Sequence, residues 1–540
     1  MSKLVLAMGI ALALLFAACE TEPATDVSHF TAKLNGKGSC QGTYDVEWWY
    51  QYGTVGFTEW ADAPHHDFHC NGVSATFTIP PEQISGLFDG VTYRFRLAAK
   101  VNGDVHYYDA NGTTDGTSYD TFATLPFPRV TPKAAQAFRN TQGVNSRIPF
   151  HGPWENVPAI KDAGAWMGIK FLRETWRVAY RSTFHDLALS GFTFSFSLGR
   201  MDVDNNGTCG PFEIDSLLAE MRFDPVVWNA IKYIESPNEI TGSDGEHGLG
   251  DQWDECTRTF LAAQQDALNG EKPIIGPTVS APGGNPNVAD ANRLILGNIE
   301  QYVDFGNMHP YAGGLAPDTT DLEADGTPFN AIDYNRPRAQ ILTPNRPIFA
   351  TEAGYHTNLN NTKVNAPTPE AVQASYMVRL FLEYFRRGVP HTDIYAIVDD
   401  ECSTATDYYA YGLYRCDWTK KPVVDAIHNL NITVGTGTPT LTPLAMRVDS
   451  GPSDLLQVVT RRSDGAYVVA LWRRAKLWDR EPPRHELTVA PQNVTLTLPY
   501  ANSVGRVTPN QSATETGLTL NASKQVTVPV AGEAVLLVVR

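Results

Sequence analysis

Residues 347–352 read Pro347-Ile348-Phe349-Ala350-Thr351-Glu352, and residues 392–398 read Thr392-Asp393-Ile394-Tyr395-Ala396-Ile397-Val398. Both are short runs rich in β-branched and aromatic residues, the pattern of buried strands. Residues 368–387 between them keep a helical period. Thr368 is placed to cap the N-terminus, Pro369 suits the first turn, and Ala374, Met377, Val378, Phe381 and Phe385 fall on one stripe before Gly388 ends the run. Strand, long helix, strand is the unit of a parallel sheet, because parallel neighbours need a crossover.

The unit recurs upstream. Candidate strands at 146–150, 169–173, 192–198, 230–235, 273–277 and 302–309 bring the number to eight. Eight βα units in about 300 residues predict a (β/α)8 TIM barrel over residues 133–434. A doubly wound sheet is the rival, but no GxGxxG is found here. Residues 28–124 and 440–540 alternate with period two instead and predict a β-sandwich on each side of the barrel. The proline-rich stretch 125–132 reads as a linker, and Gly435-Thr436-Gly437-Thr438-Pro439 as a second seam. Trp48 and Trp49 alternate on one strand, so one is expected in the core and the other exposed.

The start of the chain reads as an address. Lys3 precedes an apolar run, 4–18, too short to span a bilayer comfortably, and residues 1–19 have the make-up of a signal peptide. Leu15-Phe16-Ala17-Ala18-Cys19 resembles a bacterial lipobox, which implies lipidation of Cys19. An ordinary signal peptide is the alternative, since Phe16 replaces the usual aliphatic residue. Residues 20–27 then form a polar tether. The expectation is export, with membrane contact only through a lipid anchor. Six cysteines remain of seven, and couples Cys40–Cys70, Cys209–Cys256 and Cys402–Cys416 are expected as disulfides in that oxidising compartment, with buried thiols as the alternative. Forty-two basic against 59 acidic residues give a net charge of -17, which argues against nucleic acid as a partner.

In a barrel, chemistry sits at the C-terminal ends of the strands. The fourth strand ends Ile234-Glu235-Ser236-Pro237-Asn238-Glu239, the sixth ends in His309-Pro310-Tyr311, the seventh in Thr351-Glu352, and the eighth runs into Asp399-Asp400-Glu401. Glutamates from strands four and seven face each other across the mouth. Such a pair can protonate a leaving oxygen from one side while attacking from the other.

Together these residues resemble clan A of the glycoside hydrolases, the (β/α)8 retaining enzymes that include families five, thirty-nine and seventy-nine. The resemblance implies Glu239 as acid/base, Glu352 as nucleophile, and Arg173, His309 and Tyr311 as groups that orient Glu352. It implies that Asn238 meets the sugar 2-hydroxyl, and that the partner is a carbohydrate cleaved without a cofactor. The clan often has an aromatic residue after strand eight; Asp400 is read there as a polar sugar contact instead. In the first block, Leu87-Phe88-Asp89-Gly90-Val91-Thr92-Tyr93 resembles the E–F corner of fibronectin type III domains, where a Tyr hydroxyl bonds back to the backbone. The other class of function consistent with this layout is a non-catalytic glycan-binding adhesin that keeps the barrel as scaffold.

Residues 202–213 satisfy the spacing of an EF-hand-type loop, with Asp202, Asp204, Asn206 and Glu213 as calcium ligands. No incoming helix precedes them, and a plain polar rim loop is the alternative.

Overall fold

The computed structural model describes residues 18–40, 42–71, 75–101, 103–112, 116–198, 213–240, 253–279, 286–319, 331–361, 365–403, 405 and 410–540. The chain divides into two units, Met1–Arg129 and Val130–Arg540.

The first unit is antiparallel β. One sheet holds Ala18–Thr25, Thr31–Cys40 and Ala75–Ser85; the other is built on Thr43–Thr54 and Thr92–Val101. Their inward residues, among them Leu34, Tyr50, Phe95 and Leu97, form one core. The Tyr93 hydroxyl accepts the Phe88 N–H at 2.8 Å, the backward bond expected at that corner. Three expectations change. Residues 20–25 are no tether, because they pair with the second strand and bury Cys19. Both Trp48 and Trp49 are buried: Trp48 lies in the core as one of the pair should, and Trp49, on the other face, is covered by the stacked ring of His65. The linker starts anchored: Phe127 is buried, and its N–H and the Arg129 guanidinium both bond the Asp89 carboxylate.

The second unit contains an eight-stranded parallel sheet. Its strands are β1 Gln142–Asn145, β2 Phe171–Thr175, β3 Thr193–Ser197, β4 Ile231–Glu235, β5 Ile274–Ile275, β6 Gly306–Met308, β7 Ile348–Ala353 and β8 Thr392–Ile394. β1 pairs with β8, and a parallel bridge between Ile275 and Phe305 joins β5 to the start of β6, so the barrel closes. The first strand was expected at 146–150; it lies earlier, and Ile148–Phe150 form a 3-10 turn because Pro149 cannot donate to a ladder.

Alternation along the strands stacks the interior in layers. Phe171, Tyr233, Phe305, Phe349 and His391 meet ring to ring across the barrel. Two residues further along four of these strands come Arg173, Glu235, Asn307 and Thr351, so an apolar floor carries a polar layer directly beneath the mouth. The residues between, such as Leu172 and Ile234, point outward into the helix-facing core.

The C-terminal block is a sandwich of a six-stranded and a three-stranded sheet. Its six-stranded sheet includes Lys133–Ala134, which runs parallel to Leu455–Arg461, so residues 133 and 134 belong to the sandwich and not to the barrel. That sheet packs on both faces, Val469 and Leu471 against the small sheet and Val468, Ala470 and Trp472 against the barrel's core. This accounts for its continuous apolar run. The helix between β7 and β8 is Glu370–Arg386; Pro369 and not Thr368 takes the N-cap position, and no side chain caps it. It shows no single apolar stripe, because residues 372–385 are buried all round between barrel and sandwich. Its Arg379 bonds Asp318 on one side and the Ala475 and Gly532 carbonyls on the other.

Candidate active site

Arg173, Glu235, Asn238, Glu239, His309, Tyr311 and Glu352 converge at the C-terminal ends of β2, β4, β6 and β7. The β7–β8 register shifts between Ala350 and Ala353, and successive residues Thr351 and Glu352 both enter the polar layer. The Glu352 carboxylate accepts Nη1–H of Arg173 at 2.6 Å on one oxygen and the Tyr311 hydroxyl at 2.8 Å on the other. Burial alone would raise its pKa, but the charges of His309 and Arg173 and the hydrogen bonds from Tyr311 and Arg173 hold it below the ordinary glutamate value. Tyr311 moves the other way: burial and then the Glu352 charge push its hydroxyl well up, so it stays a proton donor.

Glu239 follows β4 in a left-handed backbone conformation, φ 44°. A non-glycine residue is held there only when its surroundings over-determine it. Its N–H donates to the Thr278 hydroxyl at 3.1 Å, and the Ile240 N–H to the Thr278 carbonyl at 3.0 Å. The side chain is 42% exposed, against 11% for Glu352, so Glu239 faces the cleft and Glu352 the floor.

His309 links the two. Its Nδ1 lies 2.8 Å from Glu239 and 3.7 Å from Glu352, and its Nε2 lies 3.1 Å from the Thr351 hydroxyl. The single hydroxyl proton of Thr351 goes to Asn307 at 2.8 Å, so Thr351 accepts from Nε2–H. With Nδ1 facing two carboxylates, the doubly protonated, charged form of the ring is favoured. Burial opposes that charge, yet Glu352 and Glu239 outweigh it and raise the His309 pKa.

One oxygen each of Glu239 and Glu352 and a ring nitrogen of His309 lie within 4.8 Å of one another. The three could in principle each offer a ligand to a metal ion. Both Glu352 oxygens are already engaged, and the Arg173 charge beside them repels a further cation, so the set suits proton and carboxylate chemistry better.

Asp400 lies at the rim and pairs with Arg147 at 3.3 Å. An aromatic residue does follow the eighth strand. β8 stops at Ile394, earlier than its sequence pattern indicated, which puts Tyr395 at the strand end. Its ring lies 5.6 Å from Tyr411, which lies 5.4 Å from Tyr311, so three tyrosines wall this side. Sequence reasoning also passed over Glu235, Asn145 and Thr351, which hold the network together; inward parity on β4 and β7 was the available signal.

The expected ligands Asp202, Asp204 and Asn206 lie outside the described residues; Glu213 is exposed at the start of helix Ile214–Arg222. Cys402 and Cys416 form a disulfide with Cα atoms 5.3 Å apart. Cys256 is disulfide-bonded, while its expected partner Cys209 lies outside the described residues. Cys70 is buried, and the Cys40 side chain lies outside the description.

No family model and no curated protein matches the chain. Among solved structures, it is similar to a family 39 glycoside hydrolase from the gut symbiont Bacteroides cellulosilyticus WH2, at 13% identity and TM-score 0.45, over 97% of this chain and 100% of that one. It is also similar to a monomeric beta-xylosidase from Caulobacter crescentus CB15, at 14% identity and TM-score 0.49, over 76% and 97% of the two chains. A third is a GH39 enzyme from Xanthomonas axonopodis pv. citri, at 12% identity and TM-score 0.47, over 76% and 95%.

Proposed function

We propose that this chain is a retaining glycoside hydrolase acting on an oligo- or polysaccharide. The observation that carries the reading is the Glu239–Glu352 pair across one barrel mouth, with carboxylate oxygens within 4.8 Å. Retaining enzymes hold their carboxyls ~5–5.5 Å apart so that one can touch the sugar, and inverting ones ~6.5–9.5 Å to admit water. Glu352, kept ionised by Arg173 and His309, attacks the anomeric carbon and expels the leaving oxygen, which takes its proton from Glu239. Glu239 then removes a proton from the water that releases the sugar. Asn238 accepts Nη2–H of Arg173 at 2.7 Å through its amide oxygen, which leaves its NH2 for the sugar 2-hydroxyl. The apolar run at 4–18 adds export to the proposal, and the Tyr93 corner supports a fibronectin III-like role for the first unit.

An aryl-glycoside panel tests the activity, and NMR of the first-formed anomer tests the stereochemistry. Retention of configuration is expected. Inversion would overturn the mechanism, and folded protein that binds glycans without cleaving any would favour the adhesin. The pH profile follows from Glu352. Because its pKa is lowered, the active carboxylate persists as pH falls and is lost only below its ordinary value of ~4.3. An acid limb of kcat/KM under that value is therefore expected, and one well above it would contradict the role of Glu352.

A further inference from the structure

Glu235 has no part in the double displacement, yet it is fully buried in the polar layer. Its carboxylate takes Nε–H and Nη2–H of Arg173 at 2.6 Å each and Nδ2–H of Asn307 at 3.1 Å, and Asn307 in turn accepts the Thr351 hydroxyl. The remaining Arg173 donors go to Asn145 at 2.8 Å, Asn238 at 2.7 Å and Glu352 at 2.6 Å. Every N–H of the guanidinium is thereby committed.

An arginine facing a carboxylate prefers a bidentate fork. Glu235 occupies the Nε/Nη2 edge, and Asn238 and Asn145 take the second Nη2–H and one Nη1–H, so a single N–H is left for Glu352. The second Glu352 oxygen stays with Tyr311. We propose that Glu235 is a positioning residue that acts through Arg173: it aims one N–H at the nucleophile and takes up part of the arginine's charge, so that Glu352 is ionised but not clamped. This rests on the glycosidase reading.

The groups facing Glu352 are Arg173 from β2, Glu239 after β4, His309 and Tyr311 after β6, Arg147 after β1 and Tyr395 after β8. Below Glu235 and Arg173 lies Asp393, paired with His391 at 3.0 Å. Removing the Glu235 charge leaves more of Arg173's field on Glu352, so the Glu352 pKa should fall. A purely structural Glu235 would leave it where it is.

The test is a carboxyl-13C NMR titration of the full chain labelled at glutamate, with Glu352→Gln assigning the Glu352 signal. Glu235→Gln should move the Glu352 midpoint down by ~0.5 or more on the pH scale, and Glu235→Asp, which withdraws the carboxylate but keeps its charge, by a smaller step. On an aryl-glycoside, Glu235→Gln should lower kcat by ~10–100-fold with KM little changed. A Glu352 midpoint that is unmoved or higher in Glu235→Gln overturns the proposal. If that variant does not fold, an unmoved midpoint in Glu235→Asp overturns it equally. The titration needs no turnover: a wild type that cleaves no glycoside defeats the glycosidase reading, while the titration still decides the role of Glu235.

Discussion

Glu352→Gln should lose turnover by a factor on the order of 10^4 or more on every glycoside, however good its leaving group. An amide can still accept from Tyr311 or Arg173, so the site keeps its shape, but it cannot form the ester to the sugar. The fold should survive, because Arg173 retains Glu235 and is not left as an unpaired buried charge. Thermal midpoints close to wild type would separate lost chemistry from lost structure. His309 would lose one of the two negative charges that raise its pKa, so its titration should shift down in the same variant. Glu352→Gln protein that keeps more than about a hundredth of wild-type kcat would be incompatible with a nucleophilic role, given the ~10^4-fold cost stated above.

Glu239→Ala should behave differently, and the difference is its signature. With a poor leaving group, loss of the proton donor should cost ~10^2–10^4-fold. With a dinitrophenyl group, which departs without a proton, the first step should be nearly normal. The second step still needs a base to activate water, so the glycosyl-enzyme should accumulate and give a burst of phenol. Azide, already a nucleophile without base assistance, should then restore steady turnover and yield a glycosyl azide of retained configuration. The exposed position of Glu239 makes the empty space accessible to azide and keeps the effect on stability small. Equal losses on good and poor leaving groups, with no azide product, would remove Glu239 from the acid/base role.

The period of the apolar residues was enough to establish the alternation of strands and helices. Strand parity and strand order were enough to bring Arg173, Glu239, His309, Tyr311 and Glu352 to one mouth, because in a parallel barrel every strand delivers its C-terminal end to the same face. These are local properties of the chain, and counting along it recovers them. What counting could not recover depends on neighbours distant in sequence. Helix Glu370–Arg386 carries Gln373, Arg379 and Glu383 in a buried environment because both barrel and sandwich cover it. Trp49 is buried because His65 stacks on it, and residues 20–25 form a strand because a partner edge receives them. β8 ends at Ile394, although the apolar pattern runs on to Val398, and that places Tyr395 and not Asp399 at the strand end. Glu235 could be seen in the sequence only as one more acid near a strand end. Its role depends on Arg173, 62 residues away, because burial makes an unpaired charge costly and only the folded barrel brings the partner that neutralises it.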